Sequence, residues 1–105
     1  MKVAITSRGN TLSSLVDQRF GRCACFVIYD TKSRTIEFIP NPNKDAEEGT
    51  GSASVELVAS RSVHKIVSGS FGMKIKPLLD SLKIQMIVIK GQEKTIKDII
   101  EILDH

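Results

Sequence analysis

The sequence predicts an α/β domain in which a mixed sheet of five strands carries helices on its faces. The expected element order is β-β-β-α-β-α-β-α. Three observations predict it. The first forty residues hold short apolar runs bounded by turn formers, the mark of strands. After Gly49-Thr50-Gly51-Ser52 the apolar period changes from two to about 3.6, the mark of helices. From there strands and helices alternate, and a βαβ unit demands a parallel pair with a right-handed crossover.

Val3-Ala4-Ile5 is a buried run ending in Thr6-Ser7-Arg8-Gly9-Asn10, which reads as a central strand and its turn. Residues 11–22 have weak periodicity, with Leu12, Leu15 and Val16 available as anchors. Phe26 to Asp30 and Thr35 to Ile39 are both β-like, and the polar Thr31-Lys32-Ser33-Arg34 between them suits a hairpin connection. Pro40-Asn41-Pro42-Asn43 stops the second of these, and a polar, partly acidic loop containing Asp45, Glu47 and Glu48 follows.

Val55, Val58 and Ala59 form one face of a helix from about Ser52 to Arg61, with Ser52 as the expected cap. Lys65-Ile66-Val67-Ser68 is a short buried strand. Ile75, Leu78, Leu79 and Leu82 then form a helical stripe whose start Pro77 disturbs: the helix begins near Lys76 or its first turn is distorted. Ile84 to Ile89 is nearly continuous in apolar residues, as in a parallel strand covered on both faces, and Gly91 ends it. Thr95 with Asp98 makes a cap-like start for a last helix carrying Ile96, Ile99, Ile100 and Leu103.

The simplest sheet puts the first strand centrally, the hairpin on one side and the last two strands on the other. That order, 3-2-1-4-5, is the topology of ribonuclease H-like three-layer domains. Fold alone does not give function. A nuclease of this topology needs carboxylates at the sheet centre to hold two metal ions. Neither Val3-Ala4-Ile5-Thr6 nor Lys65-Ile66-Val67-Ser68 contains an acid, which argues against nuclease chemistry.

At 105 residues, 41% hydrophobic and 26% charged, the chain has the size and composition of one soluble domain spanning residues 1–105. No apolar run approaches a membrane span, and the start is too short and polar-bounded for a signal peptide, so a cytoplasmic location is expected. Two cysteines do not make a disulfide framework, which agrees with a reducing compartment. The net charge of +3 falls as +2, −2 and +3 over residues 1–30, 31–60 and 61–105 without forming a basic stripe, there is no Trp and one Tyr, and nucleic-acid binding therefore has little support. His64 reads as solvated and His105 as a mobile terminus.

Chemistry concentrates in Asp17-Gln18-Arg19-Phe20-Gly21-Arg22-Cys23-Ala24-Cys25, where a loop becomes a strand. If the backbone is already extended at Cys23, then Cys23, Cys25, Val27 and Tyr29 share one side. The Cα atoms of Cys23 and Cys25 would be about 6.6 to 6.8 Å apart, near the limit for a disulfide, so two thiolates facing one space suit a soft metal better. Arg19 and Arg22 would lower thiol pKa and favour an anionic guest. The plain alternative is that both cysteines serve as small buried hydrophobes.

Arg19-Phe20-Gly21-Arg22 entering a strand, Gly49-x-Gly51 opening the first helix and Gly69-x-x-Gly72 opening the second together resemble the dinitrogenase iron-molybdenum cofactor biosynthesis family, over essentially the whole chain. The resemblance implies a small, non-enzymatic carrier or binder of an iron-molybdenum or iron-sulfur type cluster, with protein partners in cluster assembly. Arg19, Phe20, Gly21, Arg22, Gly49, Gly51, Gly69 and Gly72 would be cofactor-binding, and Cys23 and Cys25 the metal ligands. One position departs: many members have His before the Phe-Gly-Arg, whereas Arg19 stays protonated and is no ordinary ligand. The two thiols would supply the missing ligation, or charge alone would hold the cluster. Independently, N–H groups at two helix starts would favour an anion, although these glycines also serve as plain tight turns.

Two other functions remain open from sequence: a thiol redox protein using the Cys-Ala-Cys pair, which needs a low-pKa cysteine, and a cofactor-free regulatory module. Oligomeric state is not specified.

Overall fold

The computed structural model describes residues 1–46, 49–90 and 93–104. The elements follow the expected order: β1 (Lys2–Ser7), β2 (Cys25–Asp30), β3 (Ile36–Pro40), α1 (Thr50–Ala59), β4 (Lys65–Ser68), α2 (Ile75–Ser81), β5 (Gln85–Val88) and α3 (Ile96–Leu103). The sheet runs β3-β2-β1-β4-β5, antiparallel through the hairpin side and parallel from β1 to β5. Gly91, Glu47, Glu48 and His105, each given a role above, lie outside the described residues.

Strand alternation divides the apolar side chains between two cores. Ala4, Phe26, Ile28 and Ile66 meet Val55 and Val58 of α1 and Leu79 of α2 on one face. Val3, Ile5, Val27 and Val67 meet Ile96 and Ile99 of α3 on the other. The result is three layers, with β1 central because both of its faces are covered. Tyr29 is 1% exposed, and its hydroxyl donates to the Asp104 carboxylate at 2.5 Å, tying the chain beyond α3 to the hairpin.

Helix starts depart from the sequence expectation where backbone conformation decides them. Gly49, not Ser52, is the N-cap of α1, at φ 77°, a left-handed conformation that glycine adopts without steric cost. Pro77 sits in the first turn of α2, where a missing N–H breaks no intrahelical bond, so α2 begins at Ile75 undisturbed. The α2 stripe is only half used: Ile75 and Leu79 are buried, while Leu78 and Leu82 are 39% and 50% exposed. β5 also differs from the expected doubly covered strand. It is outermost in the sheet, and Gln85 and Val88 are exposed.

α3 starts as expected. The Thr95 hydroxyl accepts from the Asp98 N–H at 3.1 Å, and the Asp98 carboxylate accepts from the Thr95 N–H at 3.0 Å, a complete capping box. Thr95→Ala is expected to cost about 1 kcal/mol, read as a lower urea midpoint at unchanged m-value. The Thr95 backbone N–H, and then its side chain, hold the Asp98 carboxyl below its ordinary value of 3.8. Its stabilisation is therefore complete above that value and is lost as pH falls through the depressed folded one. An Asp98→Asn protein should lose part of the acid-side slope of stability; an identical slope would contradict the box.

Candidate functional site

Beyond β1 the chain does not swing free. Thr6 accepts the Asp17 N–H at 2.9 Å on its carbonyl, and its hydroxyl donates to the Asp17 carbonyl at 2.8 Å. Val16 donates to the Lys94 carbonyl at 2.8 Å, and Ile96 to that of Ser14 at 2.9 Å. Residues 14–17 are thus stitched between β1 and the start of α3 and form a fixed wall. Val16 is buried as an anchor, whereas Leu12 is 41% exposed. The buried Asp17 carboxylate accepts the Arg19 backbone N–H at 2.9 Å and faces Arg19 Nε at 3.4 Å. The Arg19 guanidinium is thereby held at the surface, its side chain 67% exposed. At that exposure the pair contributes little stability, and its use is positional.

The next residues turn inward. Phe20 lies edge-on to Phe26 at 5.8 Å and beside Phe71 at 5.5 Å between ring centroids. A Cβ on Gly21 would come within 2.9 Å of the Thr50 hydroxyl and 3.1 Å of the Gly51 nitrogen, so glycine lets this loop lie against the start of α1. Arg22 Nη1 donates to the Lys44 carbonyl at 3.0 Å and to the Ala46 carbonyl, folding residues 44–46 over the motif. Asn41, read from sequence only as a strand stop, is buried here. Its Nδ2 donates to the Gly21 carbonyl at 3.1 Å and the Cys23 carbonyl at 3.0 Å. Asparagine between prolines was the available signal, but its partners lie twenty residues away.

The shared-face expectation for the cysteines is not met. β2 begins at Cys25, and residues 20–22 form a turn with Cys23 and Ala24 irregular after it, so period two does not extend back to Cys23. Cys23 instead joins Phe20, Phe26 and Ile28 in the α1/α2 core at 0% exposure, its thiol reaching the Phe20 carbonyl at 3.5 Å. Burial, then the Asp17 carboxylate, pushes this thiol up to about 12. Burial also raises Cys25, with nearby Lys44 pulling the other way. These directions are opposite to the low-pKa cysteine that a thiol redox function needs. Among the described residues, no group of three or more His, Cys, Asp and Glu side chains is placed to hold a metal ion.

Two clefts share Arg19 and Arg22 as their common wall. The first, of about 480 Å³, brings Arg8 and Lys44 to these arginines, with Asp17 and Asp45 as the acidic members. The second, of about 550 Å³, is lined by the Arg19-Phe20-Gly21-Arg22 loop, by Gly49 and Gly51 at the start of α1, and by Gly72 and Ile75 at the start of α2. Seven of the eight residues expected to bind a cofactor therefore converge, although more than fifty positions separate Arg19 from Gly72. Neither cysteine lines either cleft. The exception is Gly69, which is buried against Gln18. From sequence Arg8 enters only as the first basic group of the connection to Arg22, a loop expected to close over the cargo, and Lys44, which carries no local motif, does not enter at all.

The site's chemistry suits an anion. Four cations face two carboxylates in the first cleft, one of them already engaged with Arg19. In the second, backbone N–H groups open α1 beside an apolar floor of Phe20 and Ile75.

The family model described as dinitrogenase iron-molybdenum cofactor matches residues 1–104. The apo form of the orange protein from Desulfovibrio gigas is similar at TM-score 0.87 and 27% identity, over 98% of this chain and 87% of that one. A NifB-like protein of the DUF35 family from Thermotoga is 31% identical at TM-score 0.82, over 97% and 85% of the two chains. A dinitrogenase-like protein from Methanocaldococcus jannaschii, at 20% identity and TM-score 0.61 over 96% and 88%, shares the fold. No curated protein matches the chain. Among the described residues no helix is long and apolar enough to cross a membrane.

Proposed function

The chain belongs to the dinitrogenase iron-molybdenum cofactor family, and we propose that it binds and carries an anionic metal-sulfur cluster, of iron-molybdenum or iron-sulfur type, or its precursor, without catalysis. The observation that carries this reading is the meeting of the Arg19 to Arg22 loop with the starts of α1 and α2 around one cleft, backed by Arg8 and Lys44. In this reading Arg19, Arg22, Arg8 and Lys44 neutralise the cargo. The N–H groups beyond Gly49 donate to its sulfide edge, and Phe20 and Ile75 offer it an apolar face. Charge performs the capture, since both cysteines are buried and neither lines either cleft. Ligation by Cys23 and Cys25 is a separable part of the proposal, because it needs each thiol to be uncovered.

Titrating the apo-protein with tetrathiomolybdate tests it. We expect saturable binding that weakens steeply with salt and falls at least about tenfold in an Arg19→Glu/Lys44→Glu variant, as expected for contacts dominated by charge. Binding equal to wild type in that variant would sink the reading. A Cys23→Ala/Cys25→Ala variant that retains binding assigns capture to charge. One that loses binding together with thiolate-to-metal absorption makes both thiols ligands.

A further inference from the structure

We infer that the face formed by β5 and the start of α2 docks an acidic partner protein through an extended segment bearing apolar side chains. A groove of about 450 Å³ lies there, its apolar surface supplied by Phe71, Met73, Met86 and Val88 and its margin by Lys76 and Lys90. Met73 is 95% exposed and Val88 44%. Apolar groups this open, gathered in one groove and rimmed by charge, mark an interaction surface more often than isolated exposed side chains do.

Charge identifies the occupant. Residues 72–90 hold four lysines, all exposed, against the single acid Asp80. Their surplus of three equals the net charge of the whole chain, +3, so the rest of the molecule is balanced. Two of these lysines, Lys76 and Lys90, line the groove itself, so a partner that buries apolar side chains there places its own charges beside them, and carboxylates are the complementary choice. Position gives such docking a purpose. Ser70, Gly72 and Met73 line both this groove and the second cleft, and the Phe71 ring packs on Phe20 of the motif. A segment seated here abuts the cargo cleft. The inference thus rests on the carrier reading for its purpose, while its recognition chemistry stands on the groove alone.

The test adds a synthetic peptide of alternating leucine and aspartate to ¹⁵N-labelled full-length protein, with a leucine and lysine peptide as control. Amide shifts should centre on Phe71, Met86 and Val88, and the control should produce none. A Lys76→Glu/Lys90→Glu variant should bind the acidic peptide about tenfold more weakly and take up tetrathiomolybdate as wild type does. No shift, equal binding of both peptides, or shifts centred on Arg8, Arg22 and Lys44 would overturn the inference. So would sedimentation of the free protein as a dimer that buries the groove, which would make a second copy the occupant. Failure here leaves thiomolybdate uptake intact, whereas failure of the carrier reading leaves peptide binding intact.

Discussion

Replacing Gly69 by alanine is expected to destabilise the protein by about 1–3 kcal/mol, an overpacking cost, and to disturb the two arginine-walled clefts as well. The added methyl would fall inside contact distance of the Gln18 side chain and of its Cα, and a backbone atom cannot rotate away. The local network transmits the strain. Gly69 N–H donates to the Asp17 carbonyl at 3.2 Å, and the Ser70 hydroxyl donates to the Gln18 carbonyl at 2.6 Å. Asp17 in turn holds Arg19. Pushing residues 17 and 18 aside therefore shifts the guanidinium common to both clefts. Gly72→Ala is the control, because its Cβ would meet only Ile75 Cγ1 at an ordinary 3.7 Å. Urea unfolding should separate the two variants clearly, and equal losses would refute the packing account of Gly69.

Stability is also expected to fall at alkaline pH, with Cys23 a main source. Its folded value, about 12, lies above the ordinary thiol value of 9.0 chiefly because burial penalises the thiolate. The folded state therefore holds the proton more tightly than the unfolded chain. The contribution is complete below about 9 and is lost as pH rises toward about 12, at roughly 1.4 kcal/mol for each pH unit between. Cys25 and Tyr29, both raised, slope the same way, so the difference between wild type and Cys23→Ala isolates this residue. Cys23→Ala should flatten the decline between pH 9 and 11 in urea titrations. Parallel curves for the two proteins would mean that Cys23 is not sealed in the core.

Both predictions turn on residues whose surroundings are non-local, and here the legible and illegible parts of the sequence divide. Local periodicity was enough for the elements. Val3-Ala4-Ile5 lies in the doubly covered central strand, Lys65 to Ser68 form a strand with the expected bounds, and Thr95 with Asp98 caps α3. Strand alternation, helical stripes and caps are properties of a few adjacent residues, so they survive without knowledge of the rest of the chain.

By itself the sequence determined the α/β class, the 3-2-1-4-5 order and the motif whose two arginines became the wall between the clefts. Only the tertiary structure decided what each motif residue faces. The turn before Cys25 moved Cys23 into the α1/α2 core. Contact with Gln18 made Gly69 a packing residue. Arg8 and Lys44 were drawn to the arginines by the fold of two loops, and the outer position of β5 left Met86 and Val88 on an open groove. The physical reason is that exposure and charge environment depend on which distant segments come together, and short-range pattern carries no information about them.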